Sequence, residues 1–242
     1  SRMKEHFEGL NIRTIRNRQG MIPVLKIDML DNYMKAVDFN EIADFGGITL
    51  KYNDLQTKVS FQNTRTIRFN GNSAIKLKMD PKRYYSYANE YPGNRVEITF
   101  GNNFKLMVTV KNGSIDLNAP FERVKCSHIE IVIIPDSDGI TDFAVEEFIT
   151  AYVPQELLPV EECIKLRENE FEEWMSKTVK TGREYEHTAK ICSFVNFISV
   201  VEPSGHIKRP SMYMSKNWMT NIWCWDRCFN VLSLTKKNVE FA

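Results

Sequence analysis

The chain has 242 residues, of which 43% are hydrophobic, 26% charged and 12% aromatic. It can therefore bury a real core, and disordered, collagenous and coiled-coil chains are excluded. With 32 Lys and Arg against 31 Asp and Glu, a net charge of +1 gives no electrostatic case for nucleic acid or another polyanion as partner.

Taken in chain order, Ser1 to Gly20 carries several Arg and no apolar h-region, so no secretion signal is expected. No later apolar run approaches the roughly 20 residues a membrane span needs, so no membrane partner is expected. From Ile48 onward the chain reads as strands. Ile48–Tyr52, Val59–Phe61 and Thr66–Phe69 are β-favouring, and Phe69-Asn-Gly-Asn-Ser73 is turn chemistry. Val96, Ile98 and Phe100 alternate with polar residues up to a turn at Gly101-Asn-Asn103. Phe104, Leu106, Val108 and Val110 then alternate again, and Lys111-Asn-Gly-Ser114 turns into Ile115 and Leu117. Period-two alternation broken by Gly and Asn predicts an antiparallel meander. Ile129 to Ile134, almost continuously β-branched, predicts a strand buried on both faces, and Thr141 to Val153 predicts a half-buried one. Many short strands of this kind pack as a β-sandwich.

The character changes at Pro154–Pro159. Val160 to Lys180 places apolar residues at three- and four-residue spacing, which predicts an amphipathic helix. Gly182 ends it. A more apolar helix is expected over Tyr185 to Val201, and a third from near Thr220 toward Lys237. The predicted fold class is thus α+β: a sandwich domain over residues 1–153 and a helical part over 154–242. That second part has room for about three helices, and Ala242 follows the last without a stop signal.

Chemistry concentrates in the third helical segment. Three of the four tryptophans are Trp218, Trp223 and Trp225, and Asp226 follows directly. A sugar ring has an apolar C–H face, which a flat aromatic covers, and a rim of hydroxyls, which a carboxylate can accept from. Trp223, Trp225 and Asp226 are the candidate substrate-binding residues on that ground. The same pattern also suits aromatic core anchors with Asp226 as a helix cap or dipole partner.

The run Asn217-Trp-Met-Thr-Asn-Ile-Trp-Cys-Trp-Asp-Arg-Cys-Phe-Asn230, with Trp-x-Trp-Asp at its centre, resembles the first inner-helix region of clan-G-type (α/α)6-barrel glycoside hydrolases. The nearest type is glycoside hydrolase family 63, with its α-glucosidase and mannosylglycerate hydrolase relatives. A sandwich followed by linker helices is the domain order many of them use. The resemblance implies an incomplete (α/α)6 barrel and an activity on α-glucosides or α-mannosides. It implies that Asp226 binds sugar hydroxyls between Trp223 and Trp225, and no cofactor is implied. Inversion needs two carboxyl groups about 6.5–9.5 Å apart, and the resemblance places acid and base in later barrel helices, so the catalytic residues stay unknown. Asp226 as the general acid is the second choice. Alone the chain is expected to be inactive, with its open helical face covered by the rest of a barrel or by a homo-oligomer.

Other signals are weaker. Asp136-Ser-Asp-Gly-Ile-Thr-Asp142 has oxygen ligands at calcium-like spacing but lacks the closing Glu of an EF-hand, and Asp and Gly commonly build turns. Cys224 and Cys228 lie on one helical face without His partners, so buried thiols are expected and no metal. Five scattered cysteines suit reduced thiols and a cytoplasmic setting. Tyr84, Tyr85, Tyr87 and Tyr91 suggest a strand edge, a lid or a sugar-stacking surface. The alternative function is a non-catalytic carbohydrate- or partner-binding sandwich module.

Overall fold

The computed structural model describes residues 9–13, 24–81, 85–100, 104–178, 180–214, 222–232 and 234, and at 226 and 227 the backbone alone. The chain forms two compact units. The first runs through the strands to Arg167, and the second takes the chain from Glu168 onward.

In the first unit the strands are β1 (Asn11–Ile12), β2 (Leu25–Leu30), β3 (Ala36–Val37), β4 (Asn40–Ala43), β5 (Ile48–Tyr52), β6 (Leu55–Asn63), β7 (Thr66–Gly71) and β8 (Ala74–Met79). There follow β9 (Ser86–Tyr91), β10 (Arg95–Phe100), β11 (Lys105–Asn112), β12 (Ser114–Asn118), β13 (Phe121–Glu122), β14 (Lys125–Cys126), β15 (Ile129–Ile134) and β16 (Thr141–Phe148). A six-stranded antiparallel sheet has the order β1-β2-β8-β15-β12, with β3 on β2. An eight-stranded sheet has the order β4-β5-β6-β7-β16-β11-β10-β9. The inner faces of both supply one apolar cluster, in which Leu25, Met29, Ile75, Leu77, Ile129, Ile131 and Ile133 meet Leu50, Phe69, Val96, Ile98, Val108 and Phe143. Phe69 and Phe143 stack across β7 and β16 at 4.4 Å. Each such side chain contributes about 1.5–3 kcal/mol on burial. This is the predicted β-sandwich.

Two details differ from the sequence reading. The β10–β11 hairpin forms in the expected register, Val96 opposite Val108 and Ile98 opposite Leu106. The next turn does not continue the meander, because β12 pairs with β15 in the other sheet. Gly113 makes that corner at a φ of +108°, where an added Cβ would stand 2.4 Å from the Ile134 carbonyl oxygen, so only glycine fits. The second difference concerns burial. β15 alternates between buried and half-buried, whereas β16 is buried along both faces. The cause is the chain leaving β16, which returns over the outer face of its own sheet.

Hydrogen bonds fix that return. Glu146, 2% exposed, accepts from Tyr152 Oη at 2.7 Å, Thr109 Oγ1 at 2.9 Å and Gln155 Nε2 at 3.0 Å. Gln155 Nε2 also reaches Thr66 Oγ1 at 2.6 Å. Arg68, wholly buried, donates through Nε to the Leu158 carbonyl at 2.9 Å and through Nη2 to Asp142. Gln62 accepts from the Leu158 amide at 3.1 Å and donates to the Glu156 carbonyl at 2.8 Å. The segment thus presents the first helix, α1 (Val160–Ser176), in one register, with Cys163 buried. Burial pushes the Cys163 thiol up, against the opposing field of Arg68.

The second unit holds the rest of α1, then α2 (Glu186–Ser199) after a 3-10 turn at Arg183–Tyr185, a two-strand pairing of β17 (Val200–Val201) with β18 (Ser211–Met212), and α3 (Cys224–Leu232). Phe171 lies 5.2 Å from Phe194 and 5.6 Å from Phe197, and Trp174 lies 5.8 Å from Phe197. Aromatic pairs at these distances hold α1 against α2. Among the described residues no helix is long and apolar enough to cross a membrane.

Arg68→Met is expected to lower stability by about 3–5 kcal/mol, since it strips a buried carboxylate of its partner. Urea unfolding of the two proteins measures it. Burial pushes the Tyr152 phenol up to about 12. The neutral form is thus favoured in the folded state. Its contribution is whole below the ordinary phenol value of about 10 and is lost as pH rises toward about 12. The stability difference between wild type and Tyr152→Phe should therefore shrink across that window.

Candidate functional site

Trp223 immediately precedes α3 and Trp225 lies in its first turn. Trp225, Phe229 and Leu232 recur at four- and three-residue spacing, which puts them on one side of the helix. The Trp225 and Phe229 rings meet edge-on at 5.4 Å. That side is open: Trp223 is 50% exposed, Trp225 73%, Phe229 58% and Leu232 64%. The two indoles are therefore not sealed core anchors. They present flat apolar surfaces from a fixed helical start, the geometry that stacking on a sugar ring needs. Asp226 occupies the next helical position after Trp225, and its side chain lies outside the described residues. Trp218 lies outside them too, as does most of the tail that follows α3.

The secondary candidates resolve as follows. Asp136 is spent on its own turn, with Oδ1 accepting from the Asp138 and Ile140 amides at 3.0 and 2.9 Å and Oδ2 from Asn112 at 3.0 Å. The Ile140 amide, then Asn112, holds its carboxyl below the usual range. Asp142 belongs to Arg68 and Lys111. Among the described residues no group of three or more His, Cys, Asp or Glu is placed to hold a metal. Cys224 and Cys228, expected to be buried, are both exposed, as is Cys192, because the α3 face that carries them is uncovered.

The tyrosine stretch divides. Tyr84 lies outside the described residues. Tyr85 is 61% exposed at a φ of +63°, its amide donating to the Val124 carbonyl at 2.7 Å. Tyr87 and Tyr91 sit at the outer positions of β9, since Ser86 and Ala88 take the inward ones. Tyr87 is half-buried and still packs against the core, and Tyr91 is exposed. There they adjoin Glu97 and Lys105, which the sequence reading passed over. Strict alternation marked those two as solvent-facing, yet Glu97 is 7% exposed. The sequence signal for them is an acidic and a basic residue on the same face of the hairpin, one register pair apart.

No family model matches the chain, and no curated protein does. A solved structure of a family GH92 inverting mannosidase from Bacteroides thetaiotaomicron is similar, with a TM-score of 0.52 and 10% identity over 78% of this chain. This chain spans 32% of that one, about a third of its length. The likeness is one of fold alone, a sandwich followed by helices.

Acrylamide should quench Trp223 and Trp225 readily while sparing Trp174, whose indole nitrogen is buried. Stern–Volmer plots that curve downward in a Trp218→Phe background, and become straight when Trp223→Phe and Trp225→Phe are added, check this.

Proposed function

We propose that the chain is the N-terminal part of a glycoside hydrolase acting on α-linked sugars, α-glucosides or α-mannosides, by inversion. The observation that carries the reading is the open indole pair of the Trp-x-Trp-Asp segment at the head of α3. The family 63 type rests on that segment, and the family GH92 mannosidase supports the wider class through its fold.

The helices support the barrel reading. Ile191, Val195 and Ile198 form an exposed apolar stripe along α2, 47%, 53% and 44% open, and α3 has an open apolar side of its own. Helices with an apolar stripe need cover, and an (α/α)6 barrel covers each helix with its neighbours. In this reading Trp223 and Trp225 wall one sugar subsite and Asp226 accepts from its hydroxyls. The acid and base come from helices beyond α3, and a cytoplasmic setting suits the free thiols.

The test is a fluorescence titration with methyl α-D-glucopyranoside and methyl α-D-mannopyranoside, with turnover of the matching 4-nitrophenyl glycosides followed alongside. One sugar should perturb the tryptophan emission without being hydrolysed. Trp225→Ala and Asp226→Asn should each weaken that binding at least about ten-fold, or about 1.4 kcal/mol. Unchanged emission with both sugars would overturn the reading.

A further inference from the structure

The outer face of β9, β10 and β11 carries a set of polar side chains that the fold itself does not require. Register places Tyr91 beside Arg95 and Thr109, Asn89 beside Glu97 and Met107, and Tyr87 beside Thr99 and Lys105. Glu97 sits at the centre, its side chain 10% exposed. Its Oε1 accepts from Lys105 Nζ at 2.8 Å and from Thr99 Oγ1 at 3.4 Å. Both bonds end on the same oxygen, so Oε2 has no donor among the described residues. The Lys105 ammonium stands 5.8 Å over the Phe148 ring. The bond from Glu97 raises its pKa first, and the charges of Glu97, Tyr87 and Tyr91 raise it further. The two phenols thus border the same spot.

A recessed ion pair stabilises a sheet no better than apolar residues of the same size, because desolvating each ion costs several kcal/mol. The pair therefore calls for another explanation than stability. Charge narrows what it could serve. Glu97 offsets Lys105, and Arg95 and Glu146, which both act on Tyr152, are of opposite sign, so neither an anion nor a cation is favoured. A free carboxylate oxygen accepts, an ammonium donates, and Tyr91, 44% exposed, offers an aromatic ring to solvent. Together they match a neutral ligand with adjacent hydroxyls and an apolar C–H face.

We propose that this sheet face is a second sugar subsite, in which Glu97 Oε2 accepts from one pyranose hydroxyl, Lys105 Nζ donates to its neighbour and Tyr91 lies along the C–H face. The proposal rests on the carbohydrate reading above but uses none of the residues of α3. The whole of this subsite lies within the sandwich unit.

The experiment is saturation-transfer NMR with isothermal titration, using methyl α-D-mannopyranoside and methyl α-D-glucopyranoside against wild type, Glu97→Gln, Tyr91→Ala and Trp225→Ala. Tyr91 lies on an edge strand and is open, so its variant should melt with the wild type. The expected result is that Trp225→Ala still binds one of the two sugars. In that background Glu97→Gln and Tyr91→Ala each weaken it at least about ten-fold. Binding abolished by Trp225→Ala alone would overturn this subsite and leave the carbohydrate reading standing. No binding of either sugar to any of the proteins would overturn both.

Discussion

Arg68 and Glu146 lie on the paired strands β7 and β16, both facing outward and both sealed from water. Neither charge could remain there alone, because an unpaired ion at such depth costs several kcal/mol. Arg68 takes part of its partners, and Glu146 most of its own, from the chain that leaves β16, while the Arg68 Nη1 has none among the described residues. Arg68 holds the Leu158 carbonyl and Asp142, and Glu146 holds Tyr152, Gln155 and Thr109. The consequence is that the linker has one place to lie. It crosses its own sheet, buries β16 on both sides and delivers Val160 as the start of α1. The double burial of β16 and the entry point of the helices both follow from two charges that need partners.

The local patterns were legible because each has a short-range cause. Alternation over Val96–Val110 predicts the β10–β11 hairpin. The spacing of Ile164, Phe171 and Trp174 predicts α1, and the apolar run with Gly182 before it predicts α2. What escaped was set at longer range. The corner at Gly113 reads as an ordinary Asn-Gly turn, and only the pairing of β12 with β15 makes it a switch between sheets. Thr141–Phe148 alternates in sequence, and only a linker folding back over it makes both faces interior. The same holds for Glu97 and Lys105, which read as a solvated surface because nothing in the local pattern reveals a recess.

The candidate site shows a similar division. Three scarce indoles around one acid stand out in any reading of the chain, and the open placement of Trp223 and Trp225 follows from the unusual apolar side of α3. The residues that border Glu97 are scattered over β9, β10 and β11. They gather only once antiparallel register stacks Tyr87, Thr99 and Lys105 in one row and Asn89, Glu97 and Met107 in the next.

The five thiols divide by unit. Cys126 and Cys163 are buried in the sandwich unit, while Cys192, Cys224 and Cys228 are open on the helices. Burial also keeps Cys163 in its protonated, unreactive form. An alkylating reagent therefore meets two populations, one modified at once and one only when the sandwich unit, with the start of α1, opens. The molecule carries its own clock for the opening of its sandwich, readable by mass without any introduced label.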